Sequence, residues 1–132
     1  MSDKLLHQSL TEAIIKIFYK VYNKLGYGFL EKVYENAMAI ELRRLDIPFR
    51  QQQPVDVYYD GEEVGFFRSD IVVDSTVIVE LKAEENLCKA DEAQLTNYLR
   101  ATPIEVGLLF NFGHKPEMKR KIFTNDRKDL SG

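Results

Sequence analysis

Apolar residues repeat at helical spacing through the first third of the chain and at strand spacing from about residue 55 to residue 82. Leu10, Ala13, Ile14, Ile17, Phe18, Val21 and Tyr22 recur in three- and four-residue steps, which places them on one face of a helix. Ser9-Leu10-Thr11-Glu12 reads as a capping box at its start, and Gly26 is placed to end it. A second helix is predicted from just after Gly28 to about Leu45, with Leu30, Val33, Ala37, Ile40 and Leu45 among its apolar positions. Pro48 then forces an extended chain. Val55 to Tyr59 and Val64 to Phe67 read as two strands about an Asp60-Gly61 turn. Ser69-Asp70-Ile71-Val72-Val73 and Val77 to Lys82 form a second pair, with Asp74-Ser75 as the turn.

Beyond that pair, Glu84 to Lys89 is a polar loop and Asp91 to Arg100 a helix closed by Pro103. Val106 to Phe110 is a nearly continuous apolar run, which marks a strand buried on both faces. A last strand includes Lys121-Ile122-Phe123, and the tail 124–132 is expected to fray. This order makes an α/β fold. Joining the Glu80 strand to the buried strand through the intervening helix is a crossover, which implies a parallel pair.

The strand Val77 to Lys82 holds the most informative chemistry. Side chains alternate along a strand, so Glu80 and Lys82 share a face and Leu81 takes the other. The preceding hairpin brings Asp70 near Glu80. Two acids and a lysine then converge at one edge of a sheet, and charge placed there is costly unless it is paired or binds a metal.

The bulk numbers narrow the function classes. At 132 residues, the chain reads as a single domain over 1–132, large enough for a substantial core. The single cysteine, Cys88, allows no internal disulfide. No apolar run suits a signal peptide or a membrane span, so the expected location is the cytoplasm. Net charge is −3, against indiscriminate nucleic-acid binding, but the charge is unevenly spread. Residues 60–92 carry ten acids and three bases, whereas 113–132 carry six bases and three acids. An acidic centre beside a basic flank suits a metal site handling a polyanion; a charged run is equally often a solvated face.

Divalent-ion hydrolysis of a phosphodiester needs carboxylates for the metal, a group that positions water, and positive charge for the transition state. Asp70 and Glu80 with a backbone carbonyl between Glu80 and Lys82 would give a partial oxygen shell for Mg²⁺. His7 and His114 with one cysteine do not make a typical zinc site. A Gly-rich phosphate loop and a nucleophile elbow are both missing.

Four motifs in order resemble the PD-(D/E)xK nuclease superfamily, and specifically its GxxExxY branch. They are Gly28-Phe29-Leu30-Glu31-Lys32-Val33-Tyr34, Asp70, Glu80-Leu81-Lys82, and Gln94 within Gln94-Leu95-Thr96-Asn97-Tyr98-Leu99. The resemblance implies a restriction-endonuclease-like core, a mixed sheet of about four to five strands flanked by helices. It implies that Asp70, Glu80 and the Leu81 carbonyl bind Mg²⁺, with Mn²⁺ as a substitute, while Lys82 positions the water. Glu31 would aim at the metal or its waters, and Gln94 would orient the nucleophile or a phosphate. Ser69 stands where the superfamily name has proline, a position that shapes backbone. Tyr34 reads as core packing, Gly28 as a turn residue, Cys88 as inert and His114 as a spectator.

The expected activity is metal-dependent hydrolysis of DNA, ahead of RNA. The alternative is a catalytically silent module that binds nucleic acid or a protein partner. Tyr19, Tyr27, Tyr58 and Tyr59 suit either an interface, such as a homodimer, or plain packing.

Overall fold

The computed structural model describes residues 7–129. Two helices come first, α1 (Gln8–Leu25) and α2 (Glu31–Arg44), then strands β1 (Phe49–Tyr59), β2 (Glu62–Val73) and β3 (Val77–Lys82). Helix α3 (Lys89–Arg100) leads to β4 (Val106–Phe112) and β5 (Pro116–Ile122). The five strands form one mixed sheet in the order β1-β2-β3-β4-β5, with β3 and β4 parallel and the rest antiparallel. The expected α/β restriction-endonuclease-like architecture is present, including the parallel crossover through α3. Among the described residues no helix is long and apolar enough to cross a membrane.

Alternation along β3 and β4 sorts the two layers. Val77, Val79, Leu81, Val106, Leu108, Phe110 and Phe112 pack against α1 and α2, with Phe18 stacked on Phe110 and Tyr34 on Phe112. Ile78 and Leu109 pack against Leu95 and Leu99 of α3 on the opposite face. Glu80 and Lys82 share the parity of Ile78, so both stand on the α3 side.

Several local expectations differ from the structure. Helix α1 begins at Gln8 with His7 as its N-cap, so Ser9 lies inside the helix and caps nothing. Glu12 instead accepts a bond from the Gln8 amide. In α2 the buried stripe is Tyr34, Met38 and Leu42, whereas Leu30, Val33, Ile40 and Leu45 are exposed. The two predicted strands from Val64 to Val73 are one continuous strand, because β1 is long enough to pair with all of it. Only Ile71 to Val73 of β2 also pair with β3. The segment after Thr124, expected to fray, makes a 3₁₀ turn at Asn125–Arg127. Lys128 donates to the carbonyls of Thr102 and Ile104. Residues 130–132 lie outside the described part.

The β3–α3 loop, which carries the chain away from the site, is fixed by Asn111. Its amide donates to the Glu84 carbonyl at 2.9 Å and its oxygen accepts the Glu84 N–H at 2.8 Å. It also donates to Glu117, which in turn accepts the Leu87 N–H. Asn111 is fully buried, and replacing it with alanine leaves the Glu84 N–H and carbonyl without partners. Asn111→Ala is expected to cost about 1–3 kcal/mol in denaturant unfolding. An unchanged midpoint would mean that the loop is ordered by other contacts.

Candidate metal and nucleic-acid site

The site forms where β2 and β3 part. Their ladder runs from Val73↔Val77 to Ile71↔Val79 and is not continued at Asp70 and Glu80. Beyond it, side chains take over from backbone: the Asp70 N–H donates to Glu80 Oε2 at 3.0 Å, and the Leu81 N–H donates to Asp70 Oδ2 at 2.8 Å. The N–H and C=O of one strand residue point the same way, so the Leu81 carbonyl also faces Asp70. The hairpin turn that sets this register has Asp74 and Ser75 in left-handed backbone, at φ 51° and 55°.

Both carboxylates hold their protons more tightly than usual. Burial, then the charge of Asp70, pushes Glu80 up to about 8, and the Asp70 N–H and Lys82 only partly offset this. Asp70 is also raised, first by burial and then by the charges of Glu35 and Glu31, against the Leu81 N–H. Two adjacent carboxyl groups that hold protons so tightly mark a place where a cation would be favoured. An all-oxygen donor set suits a hard divalent ion such as Mg²⁺ or Mn²⁺.

Lys82 leaves β3 on the same face and donates to Gln94 Oε1 of α3 at 3.0 Å, with Asp91 Oδ1 at 3.9 Å. Gln94 thereby fixes where the ammonium points. One turn further along α3, Tyr98 stacks on Phe67 with ring centroids 3.7 Å apart, tying the helix to β2. Burial raises the Tyr98 hydroxyl, and Glu80 and Asp70 add to the effect, so Tyr98 also borders the site. Asp91 accepts the Cys88 N–H and its thiol at the start of α3. Glu84, Cys88 and Asp91 bring their ligand-type atoms within 4.8 Å of one another.

Sequence reasoning placed Glu31 at the metal. Glu31 begins α2 at the rim of the site, exposed, with its charge felt by Asp70 and by Glu84. The buried acid of α2 is Glu35, which the sequence reading missed; only 3% of it is exposed. It accepts from Gln51 at 2.6 Å, from Gln52 at 2.7 Å and from Lys32 at 3.1 Å. Gln52 also reaches Asp70 Oδ1 at 3.5 Å, linking the two carboxylates. Neighbouring strand residues point to opposite faces, yet both glutamines reach Glu35 because Gln52 is left-handed, with φ 55°. Such a conformation costs a non-glycine residue on the order of 1–3 kcal/mol and tends to collect at functional sites. The available signal was the four-residue step from Glu31 to Glu35, which sets both on one side of a helix.

Tyr34 is buried, as read from the sequence, and its hydroxyl has a task. It donates to the Gly26 carbonyl at 2.7 Å and accepts the Phe29 N–H at 3.1 Å, bracing the loop before α2. Gly28 in that loop has φ 112°, which only glycine adopts readily. Ser69 is wholly buried, and its hydroxyl makes no hydrogen bond among the described residues.

A mixed sheet between helical layers, with Asp70 and Glu80-Leu81-Lys82 meeting at the parting of two strands, is the arrangement of a PD-(D/E)XK fold. The family model of the PD-(D/E)XK nuclease superfamily matches residues 8–122, and the chain belongs to that superfamily. No curated protein and no solved structure matches the chain.

Proposed function

We propose that this protein is a divalent-metal-dependent phosphodiesterase of the GxxExxY branch, cleaving DNA in preference to RNA. Asp70, Glu80 and the Leu81 carbonyl would hold Mg²⁺, or Mn²⁺ in its place. The bound ion supplies a Lewis acid for the phosphoryl oxygen and eases deprotonation of a water. The observation that carries the reading is the pairing of half-buried Asp70 with buried Glu80, whose raised proton affinities a cation would relieve.

The chain's own groups account for the remaining needs of the reaction. Lys82 has three ammonium donors and spends one on Gln94, leaving others for the attacking water or a phosphate oxygen. Its charge offsets the negative charge that grows as water attacks phosphorus and the P–O ester bond breaks. Gln94 holds the ammonium in place. Glu35, through Gln52, restrains Asp70, and Glu31 adds negative charge at the rim.

The test separates metal binding from turnover. Lys82→Ala is expected to keep saturable Mn²⁺ binding by calorimetry and to lose cleavage by on the order of 10²–10³-fold, the usual effect of removing one electrostatic group. Parental cleavage in Lys82→Ala would overturn the assigned role. Saturable metal binding without cleavage of any strand in the parent would favour a silent binding module.

A further inference from the structure

Next to the carboxylate site lies a cleft of about 560 Å³, walled by the α1–α2 loop, the start of the β3–α3 loop and the β4–β5 turn. Glu31 and Glu84 line it, and so does Ala83, the residue that follows Lys82 at the end of β3. The cleft therefore adjoins the place where a scissile phosphate would sit.

Its walls present uncovered aromatic rings. Tyr27 and Phe29 are 56% and 47% exposed, and the Tyr27 ring lies 4.3 Å from that of His114, centre to centre. These rings are held rather than loose. Tyr34 braces the loop that carries Tyr27 and Phe29. Across the cleft, the Tyr22 hydroxyl lies 2.7 and 2.8 Å from the carbonyls of Gly113 and His114. A Cβ at Gly113 would come within 2.5 Å of the Glu84 carbonyl, so this turn sits directly on the β3–α3 loop. A prearranged shelf avoids much of the ordering cost of binding.

Charge decides what the shelf can take. Glu31, Glu84 and Glu85 line the cleft, and its one lysine, Lys32, is bonded to Glu35. Such walls repel phosphate and leave flat apolar faces for an uncharged ring. A duplex keeps its bases stacked inside and would offer this cleft mainly phosphates. The geometry points to an unpaired nucleotide: the cleft is a base-stacking subsite for single-stranded nucleic acid beside the scissile phosphate. Stacking of this kind contributes ~1–3 kcal/mol per base. The inference rests on the phosphodiesterase reading of the Asp70–Glu80 site and adds its substrate class.

The chain contains no tryptophan, so Tyr27→Trp introduces a single indole. We would titrate that variant, in Ca²⁺ to support binding, with a labelled oligothymidylate and with a blunt hairpin duplex, following indole emission and label anisotropy. The single strand is expected to quench the indole, and the duplex to leave it nearly unchanged. Tyr27→Ala and Phe29→Ala should each weaken single-strand binding about 5- to 150-fold. Both positions are exposed, so their melting temperatures should stay near the parent's. Single-strand binding with no quenching and no loss in either alanine variant would overturn the subsite while leaving the nuclease reading intact. Equal quenching by the duplex, or no single-strand binding at all, would also overturn it. Quenching without cleavage in Mg²⁺ or Mn²⁺ would support the subsite and remove the nuclease.

Discussion

Asp70→Asn is expected to lower phosphodiester cleavage by on the order of 10³-fold or more, roughly 4 kcal/mol of transition-state stabilisation, while making the metal-free protein more stable. The two effects share one cause. Asp70 lies against Glu80 and within the fields of Glu35 and Glu31, and burial already raises its proton affinity. An asparagine keeps an oxygen for the Leu81 N–H, which Asp70 now accepts at 2.8 Å, and removes the like-charge repulsion. It also removes a charged ligand. The melting temperature without metal should rise by roughly a few degrees, and the calorimetric Mn²⁺ signal should vanish. Retained Mn²⁺ binding in the variant would exclude Asp70 as a principal ligand, and a large fall in melting temperature would mean that its charge is structural.

In the absence of metal, stability should fall as pH rises from about 5 to 8. Glu80 is raised from its ordinary 4.5 to about 8, chiefly by burial and next by Asp70. A group whose proton affinity is higher in the folded chain stabilises the fold most when protonated in both states. That contribution is complete below about 4.5 and disappears as pH rises through 8. The loss amounts to on the order of a few kcal/mol. Asp70, also raised, acts in the same direction. The lowered carboxyls of Glu41, Asp91, Glu92 and Asp126 act the opposite way, but below their ordinary values and so outside this window.

Glu80→Gln should flatten the profile, leaving the variant more stable than the parent above pH 8 and similar near pH 5. Divalent metal should bind more tightly as pH rises towards 8, releasing about one proton per ion near neutrality. Melting curves from pH 4 to 9 in a chelator, with and without added Mn²⁺, give both results. A parent melting temperature that climbs between pH 5 and 8 would rule out the buried, protonated Glu80.

The meeting of Asp70, Glu80 and Lys82 was legible because it is local. Alternation alone puts Glu80 and Lys82 on one face, and the turn signalled at Asp74-Ser75, which in the structure runs through Thr76 so that Val73 faces Val77, brings Asp70 to them. The crossover to β4 followed from an apolar run too continuous for a half-exposed strand. Tyr34 apart, the exposed and buried faces of α2 were not legible, because Leu30, Val33 and Ile40 are as apolar as Met38 and Leu42. Only the sheet beneath the helix decides which set it covers. The start of α1 was misread for a similar reason: a Ser–Glu spacing permits a cap but does not require it.

Glu35 illustrates the remaining limit. On a helix surface a glutamate is ordinarily solvated, and the four-residue step from Glu31 places Glu35 on the site's side of α2 without announcing its burial. Its partners Gln51 and Gln52 lie 16 and 17 residues away, and they converge on it only through the left-handed turn at Gln52. The aromatic cleft likewise draws on three connections distant in sequence. What the sequence determined was the set of elements and the acid–lysine motif, since strand alternation and turn chemistry act between near neighbours. What only the tertiary structure decided was which helix face is buried, which second acid joins the site and where the aromatic rings gather, because those depend on contacts whose energy exists only once distant segments pack.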